Sequence, residues 1–128
     1  MSNKNEFDYE TLFAEIHDLA DDALSRVEER RPRAERELFA AQLAEAEAVD
    51  AGKPAGFALK ELARGRGESV ESLARKVIDA DDAHRRRKAK IAGLAKRAEL
   101  RVEKAEIADS PESAESAIEA LKNAYEKM

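Results

Sequence analysis

Apolar positions recur at spacings of three and four through most of this chain. Leu12, Ile16, Leu19, Ala23 and Val27 form the first stripe, with Phe13, Ala20 and Leu24 beside it. That spacing marks one face of an α-helix, which should begin near residues 7–11. Acidic residues fall early in it and Arg26, Arg30 and Arg31 fall late, as the helix dipole favours. Pro32 removes an amide and pushes Arg31 out of the α region, so a break is expected there. A second helix is predicted over residues 33–49, with Phe39, Leu43 and Ala46 on its apolar face and Leu38 and Val49 flanking. Gly52 suits the left-handed position just past its end, and Pro54 prevents continuation. Residues 55–64 read as a short helix with Phe57, Leu59 and Leu62 apolar, stopped by Gly65-Arg66-Gly67.

The longest uninterrupted pattern follows, from Ser69 to Ala108. It contains no proline and one glycine, Gly93. Ser69 suits the N-cap, and Glu71 suits the dipole. Ser72 stands where a full capping box would place Glu or Gln. A helix of about 40 residues is roughly 60 Å long at 1.5 Å per residue. Val70, Val77, His84, Ile91, Ala98 and Ala105 repeat every seven residues, and Leu73, Ala80, Arg87, Leu94, Arg101 and Ala108 sit three further on. Read as a heptad seam, this is sound at both ends and poor in the middle, where His84 and Arg87 hold core-type positions. The two halves are therefore expected to pack on different things, with His84, Arg87 and their basic neighbours solvated. Leu73, Val77, Ile91 and Leu94 should be buried in the seam.

Ser110-Pro111-Glu112 then gives an N-cap, a first-turn proline and a first-turn acid. The last helix should run to about residue 126, burying Ala114, Ala117, Ile118, Leu121, Ala124 and Tyr125. The expected fold is all-α: an elongated helical bundle or hairpin with one long central helix, residues 69–108, and a short C-terminal helix. In sequence order it divides into residues 1–53, two helices broken at Pro32, and residues 54–128.

Composition narrows the function. Of 128 residues, 43% are hydrophobic, many of them alanine, 5% aromatic and 40% charged. This is the composition of long helices and coiled coils. A thin alanine seam buries little area per residue, so a homo-oligomer or another protein partner is expected to complete the packing. Cysteine is absent, which excludes disulfides and thiolate metal sites. No run of about 18 apolar residues offers a membrane span, and the first residues lack the apolar core of a secretory signal. The expected location is the cytoplasm, or a particle assembled there.

The net charge of −5 is unevenly spread. Residues 1–25 and 105–128 are acidic. Residues 84–104 carry nine basic side chains, among them Arg85, Arg86, Lys90, Arg97 and Arg101, against Glu99 and Glu103. Blocks of this kind suggest acidic ends folding back on the basic middle, or on a neighbour's. The basic face is the candidate interaction surface, and acidic protein is its simplest partner. It contains no aromatic residue on which bases could stack, so contact with nucleic acid should be weak and non-specific.

Other constellations have plain readings. Asp81 and His84 lie one turn apart but lack the second ligand pair of a bundle metal site. The acids from Asp18 to Asp22 lack the glycine and closing glutamate of a calcium loop. Gly65 to Ser69 follows no strand and lacks a phosphate-loop lysine. No serine, histidine and acid are spaced for nucleophilic catalysis, so neither enzyme activity nor a metal or cofactor is expected.

Leu59, Leu62, Ala63, Gly67, Ser69, Val70, Leu73, Ala74 and Val77, followed by a long alanine- and charge-rich helix and closed by Ser110, Pro111, Glu112 and Ile118, form a recognisable series. Over residues 54–118 it resembles small proteins encoded in the tail and tail-fibre regions of tailed bacteriophages and prophages. Ala83-His84-Arg85 replaces the aromatic usual after the valine. The resemblance implies a structural or assembly accessory of a virion, without catalytic residues. The alternative is a cytoplasmic helical adaptor, or a nucleic-acid-associated regulator using residues 85–101.

Overall fold

Five helices appear in the computed structural model, which describes residues 7–30 and 33–128: α1 (Tyr9–Glu29), α2 (Arg33–Asp50), α3 (Phe57–Arg66), α4 (Val70–Ala108) and α5 (Pro111–Glu126). No strand occurs among the described residues. The expected break at Pro32 lies outside them.

The helix ends show why the chain stops where it does. Asp8 caps α1, its carboxylate accepting from the Thr11 amide at 3.2 Å and the Thr11 hydroxyl at 2.5 Å. These bonds hold the Asp8 carboxyl below its ordinary range. At the start of α4 the Ser69 hydroxyl accepts from the Ser72 amide at 3.0 Å, as the sequence predicts. Ser72 takes a different part, donating its hydroxyl to Glu68 at 3.0 Å. Three helices close alike. The residue after α2's last turn (Gly52, φ 85°), after α3 (Gly67, φ 67°) and after α4 (Asp109, φ 51°) is left-handed. In each, the next amide reaches back to the last turn: Lys53 to Ala48, Glu68 to Ala63 and Ser110 to Ala105.

Two local expectations need correction. Helix α3 runs through Gly65 and Arg66 and ends only at Gly67, because Gly67 alone of the three residues turns left-handed. Ser110 stands at the N-cap of α5, yet its hydroxyl donates to the Ser113 hydroxyl at 2.8 Å and caps no amide.

The chain forms two compact units that interleave in sequence: residues 1–26 with 88–128, and residues 27–87. Helices α1 and α4 each contribute residues to both. In the second unit Ala46, Leu59, Ala63, Leu73, Ala74 and Val77 form the core, with Phe39, Leu43, Leu62 and Ile78 packed against it. Glu45 of α2 reaches over Gly56 to accept from the Leu59 amide at 3.2 Å, capping α3 from a neighbouring helix. A Cβ on Gly56 would fall 2.1 Å from the Glu45 carboxylate oxygen. In the first unit α1, α4 and α5 pack as three helices around Ile16, Ile91, Val102, Ile118 and Leu121. Tyr125 donates its hydroxyl to the Ile91 carbonyl at 2.8 Å, and burial pushes its pKa up. The Tyr9 hydroxyl reaches Asp109 at 3.1 Å.

The buried face of α4 revises the predicted seam. The row Val77, His84, Ile91, Ala98 and Ala105 is buried throughout. Its companion row lies four residues on, not three: Ala74, Ala95 and Val102 are buried, and Asp81 and Lys88 are half-buried. In the row three residues on, only Leu73 is buried; Leu94 is half-buried, and Ala80, Arg87, Arg101 and Ala108 are exposed. Spacings of three and four are equally helical, and the larger side chains of Leu73 and Leu94 favour the spacing of three as long as α4 is considered by itself.

Two outcomes test this packing. Leu73 is 1% exposed, and Leu73→Ala is expected to destabilise by about 2–4 kcal/mol. Leu94→Ala should cost about 1 kcal/mol, since much of that side chain already meets water; equal losses in denaturant titrations would restore the original seam. Gly56→Ala and Glu45→Ala should each cost about 1 kcal/mol by losing the same cap. The double variant should be no worse than either alone, and additive losses would show that Glu45 does not cap α3.

Candidate interaction surface

Helix periodicity places Arg86, Lys90, Arg97, Arg101 and Lys104 along one side of α4, at spacings of four, seven, four and three. Glu99 and Glu103 fall on another side. The anticipated basic residues are all exposed, but they divide into two groups. Arg85 pairs with Asp81 and Arg86 with Asp82, each at 2.9 Å and one turn apart. Both pairs are well solvated at the arginine and add little stability. Lys90, Arg97, Arg101 and Lys104 meet no acidic partner among the described residues. Lys96, off this row, lies 3.6 Å from Glu99.

The described acidic ends lie in the same unit as residues 88–104, and among the described residues Lys90, Arg97, Arg101 and Lys104 do not pair with them. Glu15 of α1 pairs with Lys122 of α5 at 3.1 Å, which raises the lysine's pKa. Glu99 of α4 faces His17 of α1 at 3.9 Å. Apolar burial brings the helices together, and these pairs sit at the margin. Arg97 and Arg101 remain available on the side of α4 away from His17.

That side borders a groove. Leu94, Arg97, Ala98 and Arg101 of α4 and Ala117, Ala120, Leu121 and Ala124 of α5 line a recess of about 160 Å³. Beyond it, Arg101 and Lys104 overlook a wider recess of about 470 Å³, floored by Ala105, Ala108, Ser113 and Ser116 and containing Glu112. The packing-seam candidates thus separate. Leu73 and Val77 belong to the core of residues 27–87, and Ile91, Ile118 and Leu121 to that of the other unit, with Leu121 also in the groove floor. Leu94 stands at the groove's edge. The sequence reading missed α5's contribution, because serine and alanine carry no amphipathic contrast beside a charged face. It also passed over Leu100 and Ile107, seven residues apart on α4 and 47% and 87% exposed. Their shared seven-residue spacing outside the seam was the available signal.

Asp81 and His84, one turn apart, turn to different partners. Asp81 turns to Arg85, and the His84 Nε2–H donates to Glu28 of α1 at 3.0 Å. No cluster of three potential metal ligands occurs among the described residues, and none of the described helices is long and apolar enough to cross a membrane. His84 is 8% exposed, against the expectation that it would be solvated. It holds the seam row between Val77 and Ile91, and Glu28 supplies the acceptor that makes burial of an imidazole tolerable. Arg87, three residues on, is exposed as expected.

No protein-family model, curated protein or solved structure matches this chain.

His84→Ala should destabilise by about 1–2 kcal/mol through lost packing and hydrogen bonding. Arg87→Ala should stay within about 0.5 kcal/mol of the parent. Thermal melts of both variants decide whether α4 is packed or solvated at its middle; equal, small effects would restore the solvated reading.

Proposed function

We propose that this chain is a non-enzymatic helical assembly protein that works by packing other helices against its own. The observation that carries the proposal is the groove between α4 and α5, an alanine and serine floor beside Arg97, Arg101 and Lys104. Small side chains allow a second backbone to approach closely, and the cations give that approach a sign. Exposed Leu100 and Ile107 on the neighbouring side of α4 add apolar area. The setting, a structural or assembly component of a tailed bacteriophage or prophage particle, rests on the resemblance of residues 54–118. Its partners there would be virion proteins or further copies of the chain.

The row of cations on α4 favours a second reading, a helical adaptor or nucleic-acid-associated regulator. Phosphates need only positive charge, and Lys90, Arg97, Arg101 and Lys104 supply it.

The experiment is mass spectrometry of purified, salt-washed particles from a host carrying the gene, paired with binding to double-stranded DNA and RNA. The chain is expected in the particles at stoichiometric copy number. Charge reversal at Lys90, Arg97 and Arg101 should reduce incorporation without changing helix content. Nucleic-acid binding should be non-specific and lost by about 0.2 M salt. Absence from particles, together with a sub-micromolar, sequence-selective complex at that salt, would establish the second reading instead.

A further inference from the structure

The hairpin of α4 and α5 has two lateral grooves. Only residues 109 and 110 separate the helices, so they are near neighbours. Helix α1 occupies one groove, pinned at its margins by Glu15 to Lys122, His17 to Glu99 and Tyr9 to Asp109. The opposite groove is lined by Leu94, Arg97 and Arg101 on one side and Ala117, Ala120 and Ala124 on the other. From Leu94 to Ala108 it runs about 21 Å at 1.5 Å per residue, enough for roughly four turns of helix.

We propose that this second groove receives a fourth helix, supplied by a partner protein: an amphipathic helix with a small apolar stripe and an acidic flank. This deepens the assembly reading above and rests on it. The stripe is specified by the floor, where alanines leave room for close packing and Leu94 and Leu121 provide the larger contacts. The flank is specified by charge. Arg97, Arg101 and Lys104 rise along one wall and meet no acid of their own among the described residues, while Glu99 is engaged on the α1 side. The single acid in the wider recess, Glu112, lies on the opposite wall, at the first turn of α5. A carboxylate-bearing helix lying along the α4 wall completes three ion pairs that become partly desolvated on docking, where such pairs govern specificity and on-rate. A two-fold pairing of this chain that sets α4 against its own copy in this groove brings two cation rows together, and that arrangement is disfavoured.

The test uses the full chain and a fluorescent, helix-forming peptide of about 18 residues, long enough for the groove. It carries an alanine and leucine stripe with glutamates along one flank; its control carries lysines there. The glutamate peptide should bind with a micromolar Kd at about 0.1 M salt and weaken steeply as salt rises. Arg97→Glu with Arg101→Glu should weaken it at least about tenfold, consistent with loss of two close charge pairs. Ala120→Trp, which fills the floor, should do the same, and both variants should keep the parent's circular dichroism and melting temperature. No binding at about 100 μM, equal binding of the lysine peptide, or binding indifferent to these variants would overturn the proposal. Sedimentation of the chain alone supplies the remaining arm. A dimer dissociated by the same substitutions would show that a second copy fills the groove, overturning the partner helix while leaving the helix-assembly reading intact.

Discussion

Alanine fills much of the buried face of α4. Ala74, Ala95, Ala98 and Ala105 alternate there with Val77, Ile91 and Val102, and in the unit that holds residues 88–128 α5 adds buried Ala114 and Ala117. Each alanine offers a single methyl group, so dispersion and burial are gained only if the helices approach closely and keep register. That constraint accounts for the precision of the helix ends. A connection of two residues, with Asp109 left-handed, sets α5 directly against α4. The Tyr9 hydroxyl on Asp109 and the Tyr125 hydroxyl on the Ile91 carbonyl fix the same register from α1 and α5.

Close packing on small residues also explains how polar groups enter the seam. His84 occupies a core row because Glu28 accepts its ring proton. Asp81 and Lys88, half-buried in the companion row, lie where α4 passes from one compact unit to the other. Unpaired, such groups would carry a desolvation penalty of about 1–3 kcal/mol each. The charged stretch therefore does not interrupt the buried face of the helix. It decorates the exposed sides around a face that continues beneath it.

The same economy of side-chain size leaves the outer groove of the α4 and α5 hairpin shallow and accessible. A hairpin built on leucine would fill it with its own side chains. Alanine and serine leave it open beside a row of cations, and this combination of shape and sign is what the assembly reading uses.

Sequence periodicity by itself determined the helical class, the five elements and most of their ends, because capping and left-handed closure are local. Ser69, Gly52 and Pro111 act within a turn of themselves, and their effect is legible wherever they stand. The exposed basic face was legible for the same reason, since side-chain direction follows from helix pitch alone. Tertiary structure decided which of two equally helical rows is buried, because that depends on what α4 packs against and not on α4. It placed Glu45 over Gly56, fourteen residues from the amide at Leu59, and Glu28 beside His84, fifty-six residues away. It also separated Arg85 and Arg86, paired along their own helix, from Arg97 and Arg101, which border a groove completed by α5. Contacts between distant segments depend on how helices dock, and the spacing of residues within one helix carries no information about the neighbour that will meet it.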